Sequence, residues 1–210
     1  ISAYTSRTNP QSLVNNVPIL STLRALQPDV FGNPLSQIGQ SVLSNLNIRY
    51  VIVHPLTMGG EERDVTNRVL SEVFGDAPPV AAEPNLIAYR VSTTTANYPT
   101  LALGQGWSAP SLESGRALRE VGALARILVM ARTAGEFSLE IEAQANSTDA
   151  VYALMQGDVR LGEARFSASQ PTHWQTTVPT VAGQSPLELR QQSGGSIKVY
   201  SIITGVIETK

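Results

Sequence analysis

The sequence predicts an α+β protein: a small α/β unit followed by an antiparallel β-sandwich of jelly-roll type. Three observations lead there. Apolar residues recur at helical spacing before residue 93 and at alternate positions after residue 100. Between the two regimes lies Ser92-Thr93-Thr94-Thr95-Ala96-Asn97-Tyr98-Pro99, which has no apolar period and the composition of a linker. Domains are therefore expected over 1–93, with an extended lead-in, and over 100–210.

The first unit is organised around Asn47-Ile48-Arg49-Tyr50-Val51-Ile52-Val53-His54-Pro55. Its apolar, β-branched run with a proline stop reads as a strand buried on both faces. Upstream, a short helix is expected near Ile19 to Leu26. Asn33-Pro34 then reads as a helix start, with Asn as N-cap and Pro in the first turn. Leu35, Ile38, Val42, Leu43 and Leu46 form its apolar stripe. After Met58-Gly59-Gly60, the acids Glu61, Glu62 and Asp64 suit the first turn of another helix. Val65, Val69, Leu70, Val73 and Phe74 give that helix its face, Gly75 its C-terminal cap, and Leu86 to Val91 form a further strand.

Beyond the linker, Phe137, Leu139, Ile141 and Ala143 alternate with Glu136, Ser138, Glu140 and Glu142, the pattern of a strand with one wet face. Ala125 to Met130, Val151 to Met155, Ala164 to Ser167, Leu187 to Arg190 and Ile197 to Ile203 are the other strands expected. Arg116 to Leu128 has mixed character, and Gly115 and Gly122 favour strands over a helix there. Many short strands separated by Gly, Pro, Asn and Asp imply a sandwich.

Composition excludes several classes of function. Lys+Arg of 15 against Asp+Glu of 17, with the basic residues scattered, gives no electrostatic footprint for nucleic acid. The absence of cysteine removes disulfides, thiolate metal sites and a cysteine nucleophile. Two histidines cannot make a histidine-rich metal site, and no cofactor motif occurs. Met58-Gly59-Gly60-Glu61-Glu62 lacks the spacing and the lysine of a phosphate-binding loop and puts acids where an anion would sit. No Gly-x-Ser-x-Gly elbow is present. Charged residues make up 15% of the chain, below the usual ~25%.

A histidine, three aromatic residues and a set of carboxylates remain as candidates. His54 sits at the end of the central strand, where open α/β sheets bind ligands; the structural reading is a histidine packed at a strand edge. Trp107, Trp174 and Tyr152 offer aromatic faces that could stack on sugar rings, against the alternative that they belong to the core. Asp29, Asp64, Asp149, Asp158, Glu113, Glu120 and Glu163 could include the carboxylate pair of a glycoside hydrolase, or be surface acids. Asn146-Ser147-Thr148 fits the N-glycosylation pattern.

The order of segments also resembles a known class. Leu46 to His54, a helix, then Asn85 to Val91 resemble the extracytoplasmic C-terminal part of bacterial multi-spanning membrane proteins of the glycosyltransferase type. Leu103-Gly104-Gln105-Gly106-Trp107-Ser108-Ala109-Pro110 with Glu113 and Arg116 resembles the opening of their terminal β domain, and Met155 to Gly162 a short hairpin within it. Ser108 and Arg119 stand where that class would have aromatic residues. The resemblance implies a non-catalytic domain at the extracytoplasmic face of the cell membrane that engages a glycan, polysaccharide or acceptor, or docks at the envelope. Membrane attachment would run through segments absent from this chain, an expectation that also fits its start at Ile1. No position matches the acidic loops of that class, so no catalytic residue is implied. The alternative expectation is an independent carbohydrate-active enzyme using paired carboxylates.

Overall fold

The computed structural model describes residues 16–93 and 98–207. The chain divides into two compact units. One holds the described residues up to Pro28 and those between Pro34 and Asn97; the other holds Asp29–Asn33 and the chain from Tyr98 onward.

The first unit contains α1 (Leu20–Ala25), α2 (Leu35–Asn45), β1 (Tyr50–Val53), a 3-10 turn at Pro55–Thr57, α3 (Gly60–Phe74), β2 (Ala81–Glu83) and β3 (Leu86–Arg90). Ile38, Val42 and Leu43 of α2 and Val65, Val69, Leu70, Val73 and Phe74 of α3 are buried, as their spacing requires. Gly39 lets the two helices approach, since a Cβ there would stand 2.7 Å from a Val73 methyl. Glu61 and Glu62 lie in the first turn of α3, and Gly75 ends it at a φ of 54°.

The strand order is β1-β3-β2, antiparallel throughout. This corrects the sequence reading of a central strand buried on both faces. β1 is an edge strand, and Tyr50 and Ile52 are about half exposed, at 54% and 50%. The physical reason is one-sided coverage: Val51 and Val53 share a face with Tyr89, whose ring stacks on Phe74 of α3 at 4.7 Å, while Tyr50 and Ile52 point the other way.

The described residues of the second unit form ten strands: β4 (Thr100–Leu103), β5 (Ser111–Glu113), β6 (Arg116–Val121), β7 (Leu124–Ala131), β8 (Gly135–Ala145), β9 (Ala150–Gln156), β10 (Val159–Phe166), β11 (Thr172–Thr180), β12 (Gly183–Ser193) and β13 (Ile197–Val206). They form two five-stranded antiparallel sheets, β10-β9-β12-β7-β4 and β11-β8-β13-β6-β5. Alternate side chains fill one core between them, among them Ile127, Leu154 and Leu189 from the first sheet and Phe137, Ile141 and Val199 from the second. The alternation read on Phe137 to Ala143 is the inner face of β8. β4, β5 and β11 had no counterpart in the expected strands.

Asp29–Asn33 belongs to this second unit, although the sequence placed it in the first. β6 pairs with β13 only as far as Val199. Beyond that point Val30 and Gly32 continue the sheet in parallel, with Ile202 N–H donating to Val30 O at 2.7 Å and Gly32 N–H to Ile202 O at 2.9 Å. Asn33 does not cap α2; Pro34 occupies the N-cap position. Its side-chain amide instead pairs with the backbone of Thr204, accepting from the N–H at 2.8 Å and donating to the carbonyl at 2.7 Å. The backbone of β13 thus gains partners that a helix cap would have left unmet.

Candidate functional site

The residues singled out in the sequence do not converge. His54 follows β1 in the first unit, and its Nδ1–H donates to Asn85 O at 3.1 Å. The crevice that gave it a role belongs to parallel sheets, and this sheet is antiparallel. Tyr152 is wholly buried on β9. Its hydroxyl donates to Gly122 O at 2.8 Å, with the Val121 and Gly195 carbonyls at 3.3 Å, and burial pushes the phenol up to about 12. Tyr152 therefore presents no face to a sugar, which corrects its place in the aromatic platform.

Both tryptophans are half-buried and packed on the core. The Trp107 indole N–H donates to Arg126 O at 2.8 Å, and Gly104 N–H reaches the same carbonyl. That loop needs glycine at 106, where φ is +95° and a Cβ would collide with the Leu124 carbonyl. Trp174 lies opposite Ile141 on the inner face of β11. Its ring sits so close to Gly162 of β10 that a Cβ there would be 2.8 Å from Cζ2. Trp174 closes the seam where the edge strands of the two sheets meet.

The candidate carboxylates are likewise dispersed. Asp29 is held by Arg119, Nε to Oδ1 at 2.8 Å and Nη2 to Oδ2 at 2.6 Å, and both side chains are only 2% exposed. Asp149 accepts the Ala168 N–H at 2.8 Å, and Glu163 pairs with Arg160 and Arg165. Asp158 lies in the β9–β10 turn, and Asp64 and Glu120 are exposed. Ser108 and Arg119 form a single device: Arg119 Nη1 donates to Ser108 O at 3.1 Å, while Ser108 Oγ accepts the Glu120 N–H at 2.8 Å.

What the fold does assemble is a polar network on the outer face of the sheet β11-β8-β13-β6-β5. The register places Lys198 beside Gln144 and Glu120, Ser201 and His173 beside Glu142, and Gln175 beside Glu140. A β-bulge between Val199 and Ser201 leaves Tyr200 unpaired. Tyr200 faces outward as the alternation from Lys198 requires, and the bulge turns Ser201 outward after it, where a regular strand would have turned Ser201 to the core.

Arg116 lies over the Tyr200 ring, its Cζ 4.5 Å from the centroid, and pairs with Glu142. The Tyr200 hydroxyl donates to Glu113 at 3.2 Å and stands 3.4 Å from Gln144 Oε1, and Lys198 Nζ donates to Glu113 at 2.5 Å. The Gln144 amide is oriented by Ala168 O at 2.9 Å. His173 bridges Glu140 and Glu142, with Nδ1 at 2.9 Å and Nε2 at 3.7 Å.

The Lys198 hydrogen bond holds the Glu113 carboxyl below the usual carboxylate range, and the same bond raises Lys198. On the opposite sheet Arg190, then Arg126, hold Glu188 down. These carboxylates stay ionised, the reverse of what a general acid requires. Among the described residues no group of His, Asp and Glu could hold a metal ion, and no helix is long and apolar enough to cross a membrane.

No family model and no curated protein matches the chain. Among solved structures it is similar to the CBM36-1 domain of a multidomain xylanase from the hindgut metagenome of Trinervitermes trinervoides, at 13% identity and a TM-score of 0.41 over 53% of this chain and 99% of that one. It is also similar to a carbohydrate-binding module of Cellvibrio mixtus lichenase 5A in complex with cellotriose, at 15% identity and a TM-score of 0.38 over 50% and 89%. A Podospora anserina β-(1,4)-mannanase of the GH26-CBM35 type gives 16% identity and a TM-score of 0.41 over 55% and 29%. At such scores these likenesses assign neither a family nor a ligand to this chain.

Proposed function

We propose that the β unit is a non-catalytic glycan-binding module whose site is the outer face around Tyr200. In the same reading, the chain is the extracytoplasmic part of a membrane-anchored glycosyltransferase-like protein, engaging glycan or acceptor at the cell envelope. The segments resembling that class supply the context. The observation that carries the binding site is the Tyr200 cluster, where one half-buried aromatic ring is joined to Arg116, Glu113 and Gln144. Sugar hydroxyls both donate and accept, and such a cluster offers fixed partners for both beside an aromatic surface.

Calorimetric titration of the whole chain with a panel of oligosaccharides tests this. Tyr200→Ala should weaken binding about tenfold or more, as loss of a central aromatic anchor does, with the thermal unfolding midpoint little changed. Binding that survives Tyr200→Ala but is lost in Trp107→Ala would move the site to the Gly104–Trp107 loop. Absence of binding across the panel would end the glycan reading.

A further inference from the structure

The charge arrangement on this face goes further, to the class of glycan. Among the described residues Arg116 and Lys198 are its full cations, and each already holds a carboxylate: Arg116 pairs with Glu142 and Lys198 with Glu113. Glu120, Glu136 and Glu140 lie on the same face by register, so carboxylates outnumber cations there. A ligand hydroxyl can enter by exchange. It accepts the Tyr200 proton, which leaves Glu113, and donates to Gln144 Oε1, while Glu113 keeps Lys198 and no ion pair is broken. An acidic ligand has no such route. To reach Arg116 or Lys198 it must displace Glu142 or Glu113, which takes that carboxylate's full cation from it and sets it facing the incoming one.

We infer that the face selects neutral glycans and rejects those bearing carboxylate, sulfate or phosphate groups, with Glu113 and Glu142 as the residues that enforce the exclusion. This rests on the glycan-binding reading of the site. Exclusion is built here as an unfavourable contact with the wrong ligand, the usual complement to favourable contacts with the right one.

The test compares neutral hexasaccharides with hexuronates of equal length, titrated at low ionic strength where charge effects are least screened. Wild type should bind neutral chains at least about tenfold more tightly than acidic ones. Glu142→Gln, which frees the Arg116 guanidinium, should raise hexuronate affinity about tenfold while changing neutral binding little. Glu113→Gln, which frees Lys198, is the second variant and should act in the same direction. Near-ultraviolet circular dichroism of both variants confirms that the fold is kept. Equal or tighter hexuronate binding by wild type would overturn the inference and leave the glycan reading standing. So would Gln variants that stay folded and gain no acidic binding. No binding of either class would overturn both together.

Discussion

Arg116 and Arg119 stand three residues apart on β6, and that odd spacing turns them to opposite faces of one sheet. Arg119 points inward and is locked to Asp29, with 2% of each side chain exposed; Arg116 points outward to Glu142 at 44% exposure. The two pairs have the same chemistry and different tasks. Inside, a low dielectric and the exclusion of competing water make the pair a condition of the fold, fastening Asp29–Asn33 to the sandwich. Outside, water and neighbouring side chains compete for the same groups, so the pair adds little to stability and is free to exchange with a ligand.

The sharpest way to break that contrast is to remove one partner of each pair. Asp29→Ala leaves a buried guanidinium uncompensated and should cost about 3–5 kcal/mol in urea unfolding. Arg116→Ala should cost less than about 1 kcal/mol. Replacing both inner partners, Asp29→Leu with Arg119→Met, should restore much of the loss, because an apolar pair of similar volume needs no counter-charge. Equal costs for Asp29→Ala and Arg116→Ala would mean that burial does not separate the two.

The inner face makes a second, smaller prediction through Tyr152. Tyr152→Phe keeps the ring and removes the bond to Gly122 O, at an expected cost of about 1–2 kcal/mol near neutrality. Its pH dependence has a fixed sign. The folded phenol titrates at about 12, above the ordinary value of 10.0, so its contribution is complete below pH 10 and is lost as the pH rises towards 12. The gap between wild type and Tyr152→Phe should therefore close in alkali; a gap that stays constant from pH 9 to pH 12 would show that the phenol is not buried as described.

The same contrast governs what was legible in the sequence. The helical stripes of α2 and α3 and the alternation on β8 are local patterns, and the residues they mark are buried, save Leu35 and Leu46 at the ends of α2, which are half-buried. The wet row Glu140 and Glu142 was equally plain, but Tyr200 and Lys198 join it only through pairing of β8 with β13, which no local period reveals. The bulge at Tyr200 breaks the alternation only beyond it, since a strict period from Ile197 would send Ser201 inward. Asp29 is hidden for a related reason: its partner lies 90 residues on. Asn33-Pro34 had every local mark of a helix cap, and tertiary pairing with Thr204 overrode it. For Trp107, Trp174 and Tyr152 the sequence left a sugar platform and a place in the core both open, because aromatic type says nothing about facing.

The outer face gives the smallest effect, and its sign is also determined. The folded Glu113 carboxyl titrates below its ordinary 4.5, so its contribution is present above that value and is lost as the pH falls through the depressed one. Lys198 is raised from 10.5, so its part is complete below that value and is lost as the pH climbs through the raised one. Between these limits the pair should give a flat plateau. Glu113→Gln should lower stability only slightly on that plateau, and should make the fall below pH 4.5 shallower than in wild type. If the acid limb is unchanged, Glu113 is not anchored by Lys198 in solution. The carboxylate assigned to exclude acidic glycans would then be mobile, and the selectivity of the face would have to rest on Glu142 alone.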